Sequence, residues 1–314
     1  MYGKERIFPL RYNNNITNDF KSQVEKILQK AQIKKSYNKF VIDWLESVGN
    51  IKKADIIRQC ATMIGVTDVS GVAHVTRANF CRERVCSVCA WRRQSKFVAQ
   101  MLPVLEALTK QNYEFIFVTL SMRNVTYDCL DGAIDNLMKA YDRFLHLRKV
   151  KRSWVGKVRS VELTYNETAN TFHPHLHILV AVTSDYFHSE DYITLSELIC
   201  FWRNCLQVDY DPSVDISKVN DEYIGAVETL KYAFKPSFSP NALSGFYYVL
   251  KNRRLVSFSG VFAEQRKLFK FSSFEDILTD DLPLADNKKF TCFLYKFDST
   301  GGIYNYYNTL ECEK

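Results

Sequence analysis

A predicted β-hairpin near the middle of the chain is the feature that most constrains its fold. The segments WVGKVRSVELTYN (154–166) and HPHLHILVAV (173–182) read as strands, and the polar turn NETANT joins them. Side chains two apart on a strand share a face, so His175 and His177 project together while Leu176 faces the other way. Because the whole chain has only 6 histidines, three of them in one strand indicate a shared chemical role.

The hairpin lies within a β-α-β-β-α-β order of elements between residues 113 and 219. This order predicts an α+β fold, a ferredoxin-like (split βαβ) antiparallel sheet with helices packed on one face. The flanking elements are the strand YEFIFVTLSM (113–122), the amphipathic helix LDGAIDNLMKAYDRFLHLRKV (130–150), the helix LSELICFWRNCLQ (195–207) and the strand PSVDISKV (212–219).

The rest of the chain divides into further regions by pattern. Apolar residues at helical spacing predict helices over 17–58, and GVTDVSGVAHVTRANF (65–80) resembles a short hairpin that leads into a cysteine-rich segment. We predict four regions, with added N-terminal helices and an added cysteine module: 1–58 helical, 59–98 Cys-rich and zinc-binding, 99–270 the domain that carries the histidine strand, and 271–314 a C-terminal extension.

The paired histidines predict a metal site when a third ligand is added. A hairpin that turns at about 166–171 brings Glu162 of the first strand opposite or diagonal to His175 of the second. Two imidazoles and one carboxylate with open positions suit Mg²⁺, Mn²⁺ or a similar ion. The alternative is a pair of polar residues on the solvent face of a half-exposed strand.

A second metal site is predicted in the cysteine-rich segment FCRERVCSVCAWRR (80–93). Cys81, Cys86 and Cys89 have C-x4-C-x2-C spacing, and four thiolates form a closed, structural zinc site. The fourth ligand is either Cys60 or His74, and buried cysteines without a metal are the alternative. The odd count of 9 cysteines argues against a disulfide framework.

A candidate nucleophile lies in the predicted final helix, within AVETLKYAFK (226–235). Glu228 and Tyr232 are four residues apart and therefore share one helix face. A tyrosine needs nearby positive charge, from a metal or from Lys231 or Lys235, to favour the phenolate. The alternative is an ordinary amphipathic helix with a tyrosine at the edge of the core.

With these segments in view, the chain resembles the HUH endonucleases and, more closely, the replication initiators of small rolling-circle plasmids. The similarity runs from about residue 50 to 270 and includes the cysteine segment, FIFVTLSM, SVELTYNETANTFHPHLHILV, FWRNCLQVDYDPSVDISKV, ETLKYAFK and RRLVSFSGVFAEQRKL. Several motifs in one order are more specific than any single motif.

The resemblance implies an activity and a role for each site residue. The expected enzyme is a divalent-metal-dependent DNA nickase and strand transferase in which His175 and His177 bind the ion and Tyr232 attacks the origin DNA. Glu228 matches the carboxylate that activates water at termination, and Lys235 completes the E-x-x-x-Y-x-x-K pattern. The implied partners are plasmid origin DNA, single-stranded or extruded as a hairpin, and a host helicase.

Charge and composition fit this expectation. The net charge is +7, and three basic clusters lie close to the motifs, which indicates a polyanion such as nucleic acid. With no signal-peptide-like or membrane-spanning run, we expect a soluble, cytoplasmic protein. The predicted DNA contacts are Arg92, Arg93, Lys149, Lys151, Arg152, Arg253 and Arg254.

Two other functions remain open at this point. A conjugative relaxase or a single-strand transposase has the same active site and differs in the DNA that it serves. A non-catalytic, zinc-dependent DNA-binding regulator is a different class, in which the histidine strand is incidental.

Overall fold

The computed structural model describes residues 17–220, 240–269 and 289–313. The chain divides into two compact units, one formed by Met1–Cys89 with Thr279–Lys314 and the other by Ala90–Leu278. The two C-terminal strands therefore belong to the same unit as the N-terminal helices and the four clustered cysteines. The finer division into four regions stays a prediction.

The helices and strands of the described chain have the following bounds. The helices are α1 (Asn18–Ser47), α2 (Ile51–Gln59), α3 (Ser87–Thr109), α4 (Tyr127–Leu145), α5 (Arg148–Ser153), α6 (Leu195–Leu206), α7 (Pro240–Ser244), which continues as a π-helical turn (Gly245–Val249), and α8 (Val261–Leu268). The strands are β1 (Met63–Val69), β2 (Val72–Ala78), β3 (Tyr113–Ser121), β4 (Gly156–Asn166), β5 (Thr171–Thr183), β6 (Val214–Lys218), β7 (Val256–Gly260), β8 (Lys289–Asp298) and β9 (Ile303–Glu313).

The first unit combines helices α1 and α2 with a four-stranded antiparallel sheet in the order β2-β1-β8-β9. The Thr17 hydroxyl accepts a hydrogen bond from the Phe20 N–H and caps the start of α1. Phe20 and Val24 begin the buried stripe of this helix, and Phe20 packs against Phe293 of β8 with ring centroids 5.8 Å apart. Helix α1 and strand β8 thus share one core.

The second unit contains the predicted β-α-β-β-α-β order, which is confirmed as β3-α4-β4-β5-α6-β6, with the short helix α5 added between α4 and β4. Its sheet has the order β6-β3-β5-β4-β7, with every neighbouring pair antiparallel. The α+β class with antiparallel sheets and N-terminal helices is therefore confirmed. Strand β7 extends the four predicted strands at the β4 edge.

The two helices of the predicted order, α4 and α6, lie on one face of this sheet, as expected, and α8 covers the other face. On the Phe172 face, Tyr127 of α4 lies 6.4 Å from Phe172 between ring centroids, and Trp202 of α6 lies 6.0 Å from Phe144 of α4. On the opposite face, which carries His175 and His177, Phe262 of α8 lies 6.0 Å from Phe115. Helix α8 folds back after β7 and buries Phe262 on this second face.

One close approach explains how α8 reaches the sheet. Gly260 has a φ of +56°, and a side chain there would collide with the Val155 carbonyl oxygen. Gly260 also pairs with Gly156 across β7 and β4. Only glycine fits both the backbone conformation and the space, so the chain turns from β7 directly into α8.

Within the described residues, no helix is both long enough and apolar enough to cross a bilayer.

Candidate metal centres

The β4–β5 hairpin places a carboxylate directly opposite a histidine. Glu162 is paired with His175, and Ser160 with His177, in an unbroken antiparallel register. The predicted proximity of Glu162 to His175 is therefore confirmed, and it is a direct pair. All three side chains are buried: Glu162 is fully inaccessible, and His175 and His177 are 8% and 7% exposed.

The three side chains converge on one carboxylate oxygen. The Nε2 atoms of His177 and His175 lie 2.6 Å and 3.2 Å from Glu162 Oε2. One possible ligand atom from each residue lies within 4.8 Å of the other two. A carboxylate with no solvent exposure is costly unless a positive charge or hydrogen bonds compensate it, and a divalent cation is one such charge.

The outer nitrogens of both imidazoles are also held. His175 Nδ1 lies 3.1 Å from the His173 carbonyl oxygen, and His177 Nδ1 lies 3.3 Å from Thr119 Oγ1. A backbone carbonyl accepts, so His175 carries its proton on Nδ1 and keeps the Nε2 lone pair for a ligand. Metal-binding histidines characteristically show this arrangement.

Neighbouring elements fix the orientation of the histidine strand. The Phe117 ring stacks on His177 with a centroid distance of 5.4 Å. Ser121, paired with His175 across β3 and β5, accepts a 2.7 Å hydrogen bond from the buried Trp202 indole at its carbonyl. Burial, and next the nearby His175, lower the pKa of His173, which favours a neutral imidazole beside the cluster.

The donor set fits a small divalent ion. Two nitrogens and one carboxylate leave further coordination positions for water or substrate oxygen, as a catalytic site requires. The ion is not identified by this geometry, and Mg²⁺ or Mn²⁺ stays a prediction. The predicted Tyr232, Glu228 and Lys235 lie outside the described residues, so their catalytic roles stay predictions.

The four cysteines form a second cluster, in the first unit. Cys60 Sγ lies 3.5 Å from both Cys89 Sγ and Cys86 Sγ, and Cys81 Sγ lies 3.6 Å from Cys89 Sγ. Four sulfurs around a zinc ion at 2.3 Å are separated by about 3.8 Å, close to these distances. Cys60, and not His74, completes the group that can hold a metal.

Two side chains of α1 support the cysteine cluster, and neither was predicted from the sequence. The buried Asn38 donates from Nδ2 to Cys86 Sγ at 3.2 Å and accepts from the Ser87 N–H at 2.8 Å. Lys35 Nζ donates to the carbonyl oxygens of Cys60 and Arg58 at 2.7 and 3.1 Å. A buried asparagine on an apolar helix face is the only pattern that could have indicated this contact.

The electrostatics of the cluster favour a thiolate at Cys86. Burial raises the pKa of this thiol, but hydrogen bonds from the other three cysteine side chains and the Cys89 backbone hold it well below its usual value. Burial lowers the pKa of Lys35, while the charges of Cys60, Cys86 and Cys81 act in the opposite direction. A cation beside several sulfurs suits a negatively charged metal–thiolate group.

The predicted DNA contacts fall into two groups. Arg93 is buried, and Lys149, Arg152 and Arg253 each pair with acids, namely Glu197, Asp191, and Asp131 with Asp135. Burial keeps Arg93 away from a phosphate, and an acid partner competes with phosphate for the other three. These four are therefore weaker candidates than their sequence clusters indicated. Lys151 and Arg254 are exposed, and Arg92 is half-buried. Arg159 and Arg266, from the same basic clusters, are buried as well.

A family model described as replication protein (Rep_1) matches residues 72–302, a range that contains the histidine strand and three of the four cysteines. Cys60 and helix α1 lie outside it. No solved structure matches the chain significantly.

Several curated relatives carry the name Protein rep. One from Streptococcus pneumoniae is 33% identical over 218 residues, which cover 66% of this chain and 68% of that protein. One from a Bacillus species is 30% identical over 256 residues, covering 72% and 83%. One from Staphylococcus aureus is 29% identical over 219 residues, covering 68% and 94%.

Proposed function

This chain belongs to the Rep_1 family of replication proteins, the initiators of rolling-circle plasmid replication, and from that premise we propose that it nicks and rejoins one strand of its plasmid origin. The observation that supports this most is the convergence of His175 and His177 on one oxygen of the buried Glu162. A purely structural polar cluster does not require two imidazoles that both direct Nε2 at the same carboxylate, whereas a metal site does.

The proposed role of this cluster is to hold a divalent ion at the scissile phosphate. The ion, when bound, supplies positive charge that stabilises the charge developing on the phosphoryl oxygens. Glu162 and the two histidines hold it, and Thr119 and the His173 carbonyl keep the imidazoles oriented. The surrounding burial excludes bulk water and strengthens each of these interactions.

Tyr232 is the proposed nucleophile. Its phenolic oxygen attacks the phosphorus, the bond from phosphorus to the 3′ oxygen breaks, and that oxygen takes up a proton. The products are a 5′-phosphotyrosine and a free 3′-OH that primes synthesis. Lys235 is proposed to stabilise the phenolate that attacks. Because the phosphotyrosine ester keeps the bond energy, a later 3′-OH can displace the tyrosine and rejoin the strand.

Glu228 is proposed to act when replication ends. It takes a proton from water as a general base, and the hydroxide opens the second site without a second tyrosine. A Glu228→Ala protein is then expected to make the first cut normally and to hydrolyse the second site poorly. Normal hydrolysis at the second site would remove Glu228 from this role.

The cysteine cluster is proposed to hold a structural zinc ion that supports DNA binding by the first unit. Four sulfurs leave no open position for substrate, so no chemical step is assigned to it. The partners of the protein in this proposal are plasmid origin DNA and a host helicase, and the place of action is the cytoplasm.

Nicking of supercoiled plasmid that carries the origin tests the proposal. With Mn²⁺, the wild-type protein is expected to produce nicked circles, while Tyr232→Phe and His177→Ala bind the DNA and leave it supercoiled. Cleavage of a plasmid that carries a transfer origin instead of a replication origin would favour a relaxase. DNA retardation without any cleavage by the wild-type protein would favour a zinc-dependent regulator.

A further inference from the structure

The loop that follows β3 is anchored beside the histidine strand. Val125 exchanges two backbone hydrogen bonds of 2.8 Å with Phe172 at the start of β5, and Asn124 Nδ2 donates to Thr171 Oγ1 at 3.0 Å. Residues 124 and 125 are therefore fixed at the same end of the sheet as His175.

Arg123 extends from this anchored loop and is held on an aromatic ring. Its guanidinium carbon lies 3.7 Å from the centroid of the Tyr210 ring, and its backbone N–H donates to the Tyr210 hydroxyl at 3.0 Å. Stacking on a tyrosine keeps a guanidinium planar and oriented while most of its N–H donors remain available. The side chain is thus restricted before any ligand binds.

The charge of Arg123 is available to a ligand. Arg123 is exposed, and among the described residues no acid forms an ion pair with it. The nearby Asp211 is instead paired with Arg203, at 2.9 Å from Nη1. This distinguishes Arg123 from Lys149, Arg152 and Arg253, whose charges are engaged by carboxylates.

We propose that Arg123, stacked on Tyr210, binds a backbone phosphate of single-stranded DNA next to the Glu162, His175 and His177 cluster and so sets the register of the strand. Arginine donors match phosphate oxygens in a forked geometry, and phosphate contacts position a nucleic acid without reading its bases. The role of this contact in nicking rests on the proposed function, but the contact itself requires only that the protein binds single-stranded DNA.

Binding of fluorescein-labelled single-stranded dT20, followed by anisotropy without added divalent ions, tests the contact. We expect Arg123→Ala to weaken binding about tenfold at moderate salt and to reduce the slope of log K against log salt by about 0.7, the value for one lost phosphate contact on a single strand. Arg123→Lys is expected to keep the slope and to recover part of the affinity.

Matched variants separate this contact from general charge and from folding. Lys139→Ala removes one exposed cation of α4, on the face of the sheet opposite to His175, and is expected to leave binding unchanged. Tyr210→Phe keeps the ring and should retain most of the affinity, whereas Tyr210→Leu removes the stack and should weaken binding. Thermal unfolding of each variant checks that it is folded.

The outcomes distinguish this inference from the proposed function. An unchanged affinity and salt slope in a folded Arg123→Ala protein would overturn the Arg123 contact, even if the wild-type protein nicks DNA. A tenfold loss in Arg123→Ala supports the contact, even if the wild-type protein proves unable to nick.

Discussion

The two candidate metal centres are built in opposite ways. The cysteine cluster draws its ligands from the end of α2, from the loop after β2 and from the start of α3, so separate segments must meet before it exists. The histidine–glutamate cluster comes from one hairpin, in which all 11 residues of β4 pair in register with β5. The first arrangement needs a metal to close it, whereas the second is already formed by backbone register.

This difference predicts different consequences of losing each metal. A site assembled from distant segments contributes its binding energy to folding. A site preformed on a sheet contributes to chemistry instead, because the hairpin remains without the ion. The comparison therefore separates a stability centre from an activity centre within one chain.

The largest effect is expected from Cys86→Ser. Loss of one sulfur ligand should abolish tight zinc binding and lower the free energy of unfolding of the first unit by about 5 kcal/mol or more. Metal content by mass spectrometry and thermal unfolding by circular dichroism measure the two effects. Cys129→Ser, at an exposed cysteine outside the cluster, serves as the control and should match the wild type. A Cys86→Ser protein that lacks zinc and is as stable as the wild type would show that the cysteine cluster is not a stability centre.

Glu162→Gln should show the reverse pattern. The amide keeps the shape of the side chain but loses the charge that holds the ion, so Mn²⁺-dependent nicking should fall by a factor on the order of 100 to 1,000. The unfolding temperature should change by no more than about 4 °C. Glu167→Gln changes an exposed acid in the turn between the same strands and should leave nicking intact. A folded Glu162→Gln protein that nicks at the normal rate would refute the metal role of this carboxylate.

Asn38→Ala tests how far the cysteine cluster depends on α1. Removal of the hydrogen bond to Cys86 Sγ is expected to reduce zinc affinity about 10- to 100-fold, as for other groups that orient metal ligands. Competition with a chromogenic chelator measures this affinity. Lys39→Ala alters the adjacent, exposed position of the same helix and provides the matched control. Equal zinc affinity in both variants would leave Asn38 as a packing residue only.

Thr119→Val should give the smallest effect. Only one 3.3 Å hydrogen bond, to His177 Nδ1, is lost, and such a bond contributes about 1 kcal/mol. The Mn²⁺ concentration that supports half-maximal nicking should rise about fivefold, with little change in the maximal rate. A lower maximal rate at saturating Mn²⁺ would instead indicate that Thr119 positions the substrate.

The sequence predicted what depends on local pattern. Strand periodicity and the turn NETANT were enough to place Glu162 opposite His175, because hairpin register follows from the strands and the turn. Spacing was enough to group Cys81, Cys86 and Cys89. It left the fourth ligand open, since the choice between Cys60 and His74 depends on how β1 and β2 fold back.

Which arginines are buried depends on tertiary packing and could not be predicted from the sequence. Arg93, Arg159 and Arg266 belong to basic clusters, yet each is buried, and Arg266 lies over the Phe258 ring at 4.2 Å. Periodicity does not tell which arginine stem packs into a core. Arg123 was absent from those clusters because it is an isolated cation; its stack on Tyr210, and the lack of an acid partner among the described residues, distinguish it.

Identification of the residue bonded to DNA after cleavage is the most direct test of the proposed chemistry. The protein is incubated with Mn²⁺ and a single-stranded oligonucleotide that spans the origin nick site, and the adduct is digested and mapped by mass spectrometry. We predict a 5′-phosphate ester on Tyr232, present in the wild type and lost in Glu162→Gln. Cleavage that leaves a free 5′-phosphate, or an adduct on another residue, would contradict the account.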